Sequence, residues 1–350
     1  MGVPELFGGV TGRITMTSRL STCALALCLV RIVLANDNKP SGDVYTEGVR
    51  ALDDHKFDAA VTAFTDVIHR EPKSAKAYYN RGLAYGNKGE TNRAIDDFTS
   101  AISNDPKSAD AFSNRGLAYT KKKEYDKAID DFNTAITLKP DSATTYLNRG
   151  IAYSETHKFK QAIDDFSKCL DLFPGNSDAT FRRGQAYLEV NELQKGINDF
   201  TASIQLSPDS ENYYNRGLAY CRLGDFQNAI ADSTESIRRL PHNPDAYCTR
   251  GIAYAQLGKL DNAISEYTQA IQLEPKSPRA YYNRADVYLK EDKVDNAIAD
   301  LTEAIRLAPS HAQSYYMRSD AYKQKGEKVK SAEDLEQAKK LGREVVSEGK

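Results

Sequence analysis

The chain repeats itself at a fixed interval over most of its length. A short block, NRGLAY in its commonest form, is followed by an apolar stretch and then by a proline. The residue after the central arginine of each block lies at Gly82, Gly116, Gly150, Gly184, Gly217, Gly251, Ala285 and Ser319. The closing prolines lie at Pro72, Pro106, Pro140, Pro174, Pro208, Pro241, Pro275 and Pro309. Both series advance by 34 residues, with one step of 33, which predicts an array of similar structural units.

Each copy contains two amphipathic stretches. In the second copy, the first stretch carries small or aromatic side chains at Tyr78, Gly82 and Tyr85. The second stretch carries apolar side chains at Ala94, Ile95, Phe98, Ala101 and Ile102. Spacings of three and four residues predict α-helices. Helices of about 12–14 residues are marginal in isolation, so each helix pair must bury its apolar side against its neighbours.

A 34-residue unit with this pattern resembles the tetratricopeptide repeat. In the third unit the matching positions are Phe112, Gly116, Tyr119, Ala128, Phe132, Ala135 and Pro140. The resemblance implies an all-α fold, a right-handed superhelical solenoid of antiparallel helix pairs. It also implies that the chain binds a protein or peptide partner.

Nine units are expected from the spacing. Their predicted bounds are residues 41–74, 75–108, 109–142, 143–176, 177–209, 210–243, 244–277, 278–311 and 312–345. The first unit is a weaker copy, with Gly48, Ala60 and Phe64 in the matching positions. The last helix is predicted over about residues 328–341, and residues 346–350 are predicted to form a frayed tail.

The first 35 residues differ from the repeats. A basic start at Arg19, an apolar run and the small residue Ala35 are typical of a secretory signal cleaved after Ala35. Met16 is an alternative start of this signal, and residues 36–40 would form a short polar leader. The charge of Arg31 argues against a membrane span. We therefore expect an exported protein, periplasmic if the source is bacterial, with an uncleaved membrane anchor as the alternative.

The composition favours neither nucleic-acid binding nor catalysis. A formal net charge of -2 lacks the basic excess that is typical of a nucleic-acid-binding protein. The five histidines are scattered, and the sequence has no recognisable metal, phosphate or nucleophile motif. Adjacent carboxylates such as Asp96 and Asp97 recur in the second stretches, which a single active site would not require. We expect no enzymatic activity, no cofactor and no metal site.

A periodic series of arginines is followed sixteen residues later by an acid. The pairs are Arg81 and Asp97, Arg115 and Asp131, Arg149 and Asp165, Arg183 and Asp199, Arg216 and Asp232, Arg250 and Glu266, Arg284 and Asp300, and Arg318 and Asp334. The first unit has Glu47 and Ala63 at these positions and so lacks both members. This joint absence predicts structural ion pairs between the two helices of one unit.

A second polar series lies one residue before the arginines. It comprises Asn80, Asn114, Asn148, Asn215 and Asn283, with Arg182 in a corresponding position. The resemblance places these residues in the concave groove, where a primary amide can both donate to and accept from a peptide main chain. The neighbouring side chains predicted to contact that peptide are Tyr79, Leu83, Leu117, Leu147, Tyr214, Tyr282 and Lys290. The alternative is that the asparagines only join helices to each other.

These features predict a non-catalytic scaffold that binds extended peptide segments, with a role in envelope assembly or secretion if the chain is exported. A variant of the repeat that binds a C-terminal carboxylate fits poorly, because Asp178 occupies a position where that variant has a lysine. Two other functions stay open. The chain can act as an adaptor through its convex face or edge, or as a structural array that associates with itself.

The predicted signal can be tested by sequencing the N-terminus of the protein recovered from its native compartment. We expect Asn36 as the first residue, because signal peptidase cleaves after a small residue that follows the apolar run. A protein that keeps residues 1–35 and sediments with membranes would instead support the uncleaved anchor.

Overall fold

A computed structural model describes residues 42–348, and this part of the chain is built from α-helices without strands. The predicted signal, residues 36–40 and the last two residues lie outside the described residues. The chain divides into two compact units, with the boundary in the sequence between Thr156 and His157. The first unit contains α1 (Gly42–Asp53), α2 (Phe57–Arg70), α3 (Ala75–Asn87), α4 (Thr91–Asn104), α5 (Ala109–Lys121), α6 (Tyr125–Leu138) and α7 (Ala143–Glu155).

The second unit continues the same alternation of helices. It contains α8 (Phe159–Leu172), α9 (Ser177–Glu189), α10 (Leu193–Leu206), α11 (Ser210–Leu223), α12 (Phe226–Arg239), α13 (Pro244–Gln256), α14 (Leu260–Leu273), α15 (Pro278–Lys290), α16 (Val294–Leu307), α17 (Ala312–Gln324) and α18 (Lys328–Glu348). Odd-numbered helices are called first helices below, and even-numbered helices are called second helices.

Within each unit, a first helix and the second helix that follows it pack as an antiparallel hairpin. In α3 and α4, Arg81 bonds to Asp97 and Gly82 faces Phe98, while Gly86 faces Ala94. Positions later in α3 thus face positions earlier in α4. Each second helix also packs on the next first helix, and neighbouring first helices contact one another within each unit. The sequence prediction of stacked helix pairs is confirmed in both units.

Large rings on the second helices pack directly on small residues of the first helices. A β-carbon at Gly116 would lie only 2.8 Å from Cε1 of Phe132. The same contact joins Gly48 to Phe64, Gly82 to Phe98, Gly184 to Phe200 and Gly251 to Tyr267. The periodic glycines therefore serve close helix packing, since any side chain there would displace a buried ring.

The turn within each hairpin uses one residue in the left-handed backbone region. Gly89, Gly224, Gly258 and Gly326 have positive φ values, which glycine adopts without steric cost. Non-glycine residues adopt the same conformation in the other turns, at His55, Lys123, His157, Asn191 and Asp292. Lys123, with φ of 61°, shows that the Lys121–Lys123 run ends a helix and enters a turn.

The end of the last helix differs from the prediction. We predicted a helix ending near Leu341 and a frayed tail from residue 346, whereas α18 continues to Glu348. One glycine costs a helix only about 1 kcal/mol relative to alanine, and no proline follows Gly342. The sequence therefore lacks the signal that ends the earlier second helices.

Two glycines of neighbouring hairpins provide a matched test of this packing. We expect Gly116→Ala to lower the free energy of unfolding by about 1–2 kcal/mol, because the ring of Phe132 must move. Gly86→Ala should leave it unchanged or raise it by up to about 1 kcal/mol, since the nearest atom to its β-carbon would lie 3.9 Å away. Urea unfolding followed by circular dichroism measures both effects. Equal destabilisation by the two substitutions would contradict the packing account.

Candidate functional site

One side of each first helix is left partly exposed by the packing of the hairpins. In α5, Gly116 faces α6, whereas Asn114 and Leu117 are half-buried and Lys121 is exposed. These three residues are spaced by three and four positions and therefore share one side of the helix. We call this side, with the equivalent positions on the other first helices, the first-helix face. It is the surface where the sequence analysis placed the predicted groove residues.

Two asparagines on this face form hydrogen bonds to a neighbouring helix, whereas the sequence analysis favoured contacts with a bound peptide. Nδ2 of Asn80 donates to Oη of Tyr45 at 2.7 Å, and Nδ2 of Asn114 donates to Oη of Tyr79 at 3.1 Å. Both bonds join a first helix to the preceding one, which is the alternative that the sequence left open. In the described part of the chain, the amide oxygen of each has no partner, so it remains available as an acceptor.

The later asparagines are less accessible. Asn215 and Asn283 are only 6% and 5% exposed, and Nδ2 of Asn215 donates to the carbonyl oxygen of Glu211 at 2.9 Å. Asn148 is half-buried on α7. The series therefore does not form a uniform row of exposed amides.

The other predicted groove residues also differ in accessibility. Tyr79, Leu83, Leu117, Leu147 and Tyr214 are half-buried on their first helices. The ring of Tyr282 is buried and contacts His311, with ring centroids 5.4 Å apart; burial raises the pKa of this tyrosine to about 12.

The two predicted basic groove residues have acidic partners on their own helices. Lys290 is exposed and pairs with Asp286, with Nζ 2.7 Å from Oδ2. Nε of Arg182 donates to Oδ1 of Asp178 at 3.0 Å. Both basic charges are therefore paired in the absence of a ligand.

The arginine series forms ion pairs across the hairpins. Nε and Nη2 of Arg115 donate to the two carboxylate oxygens of Asp131 at 2.8 and 2.7 Å. These bonds raise the pKa of Arg115. The same two-bond geometry joins Arg81 to Asp97, Arg183 to Asp199, Arg216 to Asp232, Arg284 to Asp300, and Arg318 to Asp334. The two side chains of the Arg115 pair are 17% and 8% exposed, so this pair is largely removed from solvent.

Two pairs differ from this pattern. Arg250 reaches Glu266 through Nη2 alone at 2.9 Å, and its Nε is buried without a hydrogen-bond partner within the described residues. Arg149 lies in the first unit, where Nη1 donates to Oδ1 of Asn133 at 2.7 Å. Asp165 is buried in the second unit, and its pairing with Arg149 stays a prediction.

Each arginine also contacts the preceding hairpin, a feature that the sequence analysis missed. Nη1 of Arg115 donates to Oγ1 of Thr99 on α4 at 3.0 Å. The acceptors for the other arginines are Thr65, Asn133, Ser167, Thr201, Thr234, Thr268 and Thr302. This series has the same 34-residue period in the sequence and could have been found from it. It couples one hairpin to the next.

The first-helix face carries both apolar and polar groups. Within residues 42–348, no group of histidine, cysteine and acidic side chains is placed to hold a metal ion. No helix in that range is both long and apolar enough to cross a membrane. The face offers aliphatic contacts, tyrosine rings, amide oxygens and a few basic groups. Such groups contact another polypeptide through apolar packing and main-chain hydrogen bonds.

Every protein-family model that matches this chain describes a tetratricopeptide repeat. Models of the tetratricopeptide repeat match residues 45–89, 75–108, 109–142, 143–176, 210–242, 278–311 and 312–342. A further model, described as TPR repeat, matches residues 251–292. No curated protein sequence matches the chain significantly.

Solved structures of other proteins also align with this chain. The crystal structure of the APC/C hetero-tetramer Cut9-Hcn1 aligns with a TM-score of 0.55 at 17% identity, over 82% of this chain and 57% of that chain. A tetratricopeptide repeat protein from Parabacteroides merdae ATCC 43184 aligns with a TM-score of 0.51 at 19% identity, over 72% of this chain and 100% of that chain. At these identities the similarity shows the fold alone.

A double-mutant cycle tests the ion pairs. We expect Arg115→Met and Asp131→Leu each to lower the free energy of unfolding by about 3–5 kcal/mol, since each leaves a partly buried charge unpaired. The double variant should cost clearly less than the sum. Circular dichroism in urea measures the three values.

The exposed pair of Arg93 and Glu90 is the control for that cycle, because its side chains are 66% and 30% exposed. Its substitutions should cost less than about 1 kcal/mol. Additive effects of Arg115→Met and Asp131→Leu would contradict the proposed coupling.

Proposed function

Since the chain belongs to the tetratricopeptide-repeat family, whose members bind protein or peptide partners, we propose that it binds extended segments of partner proteins along its first-helix face. In this proposal the chain is a non-catalytic scaffold. The helices hold the face in place, and the partner supplies the segment that is recognised. The repeated core sets the shape of each hairpin, so the side chains on the face must determine which segments bind.

The observation that carries the proposal is the alternation of apolar and polar groups on neighbouring first helices of the first unit. Leu83, Leu117 and Ile151 occupy equivalent half-buried positions on α3, α5 and α7. The amide oxygens of Asn80 and Asn114 lie on the same face, while their nitrogens are held by tyrosines. An extended segment could place side chains on the aliphatic positions and donate main-chain N–H groups to these fixed oxygens. Because the amides are already oriented, little side-chain entropy would be lost on binding.

A second surface supports the alternative of edge binding. In the second unit, exposed apolar side chains lie at or just after the ends of the second helices. They are Leu172, Phe173, Leu206, Leu240 and Leu273. The largest exposed fraction is 55%, at Phe173. Apolar side chains exposed in a row can mark an interaction site, and this row could contact either another protein or a second copy of the chain.

Envelope assembly or secretion is the cellular setting that we propose for this binding. It depends on export, and therefore on residues 1–35, which lie outside the described residues. If the signal is cleaved, the described helices reach the exported compartment as a free protein. If it is retained as an anchor, the same binding surface is held at a membrane.

Site-specific photocrosslinking in living cells distinguishes these surfaces. A photoreactive phenylalanine derivative is placed singly at Leu147, Leu218 or Lys290 on the first-helix face. The comparison positions are Leu172, Leu206 and Leu273 on the edge. We expect adducts with another protein from the face positions and few from the edge positions. Mass spectrometry identifies the crosslinked partner and the peptide that contacts each position.

The pattern of adducts decides between the functions. Adducts from the edge positions alone would contradict binding at the first-helix face and support the edge adaptor. Adducts between two copies of the chain would support a self-associating array. Circular dichroism of each labelled protein checks that the helices are retained.

A further inference from the structure

The first unit contains a pocket between the α3–α4 hairpin and α5. Its inner wall is formed by Ala94 and Phe98, and its outer rim includes Asn114, Leu117 and Lys121 from the first-helix face. The pocket is open to solvent at its mouth, and its enclosed part has a volume of about 20 Å³. Because its rim belongs to the first-helix face, the pocket is part of the binding surface proposed above.

Two small side chains of the α3–α4 hairpin line the pocket. Gly86 is the smallest residue at its position, which ranges in other hairpins from Ala255 and Ser154 to Leu188. Thr91 lines the pocket at a position that holds Phe57 or Phe159 in other hairpins, although Val294 there is similar in size to threonine. A β-carbon at Gly86 would meet no atom closer than 3.9 Å. Gly86 and Thr91 together leave more space than either residue would leave alone.

The rim of the pocket carries the basic side chain of Lys121, which has no acidic partner in the described part of the chain. No acidic side chain lines the pocket, and within residues 42–348 Lys121 forms no ion pair. The Lys121 side chain reaches solvent, yet the atoms packed around it lower its pKa by desolvation, with no anion to compensate. The next residue differs, since Nζ of Lys122 lies 2.8 Å from Oε1 of Glu124. Of the three lysines of this turn, Lys121 is the one that lines the pocket, so it is the basic group that a carboxylate bound there could neutralise.

The neighbouring amide adds a third recognition group. Asn114 lies on the rim, and its Nδ2 is held by Tyr79 and by the carbonyl oxygen of Asp110 at 3.1 and 2.8 Å. Its Oδ1 is consequently fixed in orientation and able to accept an N–H. The pocket thus combines an apolar interior, one acceptor and one cation, spaced along two turns of α5.

We propose that this pocket binds the end of an apolar side chain in a partner protein, next to an acidic residue of the same segment. The apolar side chain fills the space left by Gly86 and Thr91. The acidic side chain pairs with Lys121, and a main-chain N–H of the segment donates to Oδ1 of Asn114. This assignment rests on the proposed function, and it specifies which segments the first-helix face selects.

Selection from a random heptapeptide phage library tests the assignment. The library is selected on the wild-type protein, and the enriched sequence is then made as a peptide with blocked ends. We expect an apolar residue beside Asp or Glu. Fluorescence anisotropy measures its affinity for the wild type and the variants.

Two variants alter the pocket in different ways. Gly86→Leu fills it with the residue found at this position in other hairpins and should weaken binding by tenfold or more. Its unfolding midpoint should be unchanged or higher, because leucine is a better helix former than glycine. Lys121→Gln should weaken binding by about tenfold, as expected for losing a charged hydrogen bond. Lys122→Gln is the matched control and should bind as the wild type does.

A change in the peptide identifies the charge contact. Replacing its acidic residue by the corresponding amide should weaken binding to the wild type but should have little effect on Lys121→Gln. Equal binding to the wild type and to Gly86→Leu would overturn the proposal, and so would a selection without an apolar–acidic pair. Neither result would affect the photocrosslinking positions, which lie outside the pocket, so failure of the pocket and failure of the scaffold function can be told apart.

Discussion

The arginine on each first helix from α3 onward stabilises its own hairpin and also connects that hairpin to the preceding one. In α5, Arg115 bonds to Asp131 in its own hairpin and to Thr99 in the preceding one. Its guanidinium also lies 5.6 Å from the ring centroid of Phe112. Arginine suits this position because its planar, fixed set of donors can serve a carboxylate and a hydroxyl at once. A lysine would supply the charge without this geometry.

The close packing of rings on glycines complements these polar contacts. Gly116 lets Phe132 approach α5, and in a later hairpin Ala285 occupies the same position opposite the smaller Leu301. In these two hairpins, the two residues that face each other therefore change size together: glycine is paired with phenylalanine, and alanine with leucine. Once the core holds both helices in register, side chains on the first-helix face can vary without altering the hairpin. The pocket at Gly86 and Thr91 is such a variation, because it removes bulk at the rim of the core and leaves the ion pair of Arg81 and Asp97 in place.

The sequence predicted the helix pairs well because the repeat period is visible in two independent series, the glycines and the prolines. It also predicted the arginine–acid pairs that lie within each unit, since the spacing of sixteen residues is constant. It did not reveal how Asn80 and Asn114 are used, because an amide at the surface and an amide bonded to a neighbouring tyrosine give the same sequence pattern. The acceptors Thr65 and Thr99 were overlooked, although their period is the same as that of the arginines.

The most direct test of interdependent hairpins is hydrogen exchange of the Arg216→Met variant, measured by mass spectrometry. Arg216 on α11 bonds to Asp232 on α12 and to Thr201 on α10 in the preceding hairpin. The account predicts faster exchange in α10 as well as in α11 and α12, because the variant removes contacts in both directions. Faster exchange confined to α11 and α12 would contradict it, since the hairpins would then be stabilised independently of this residue.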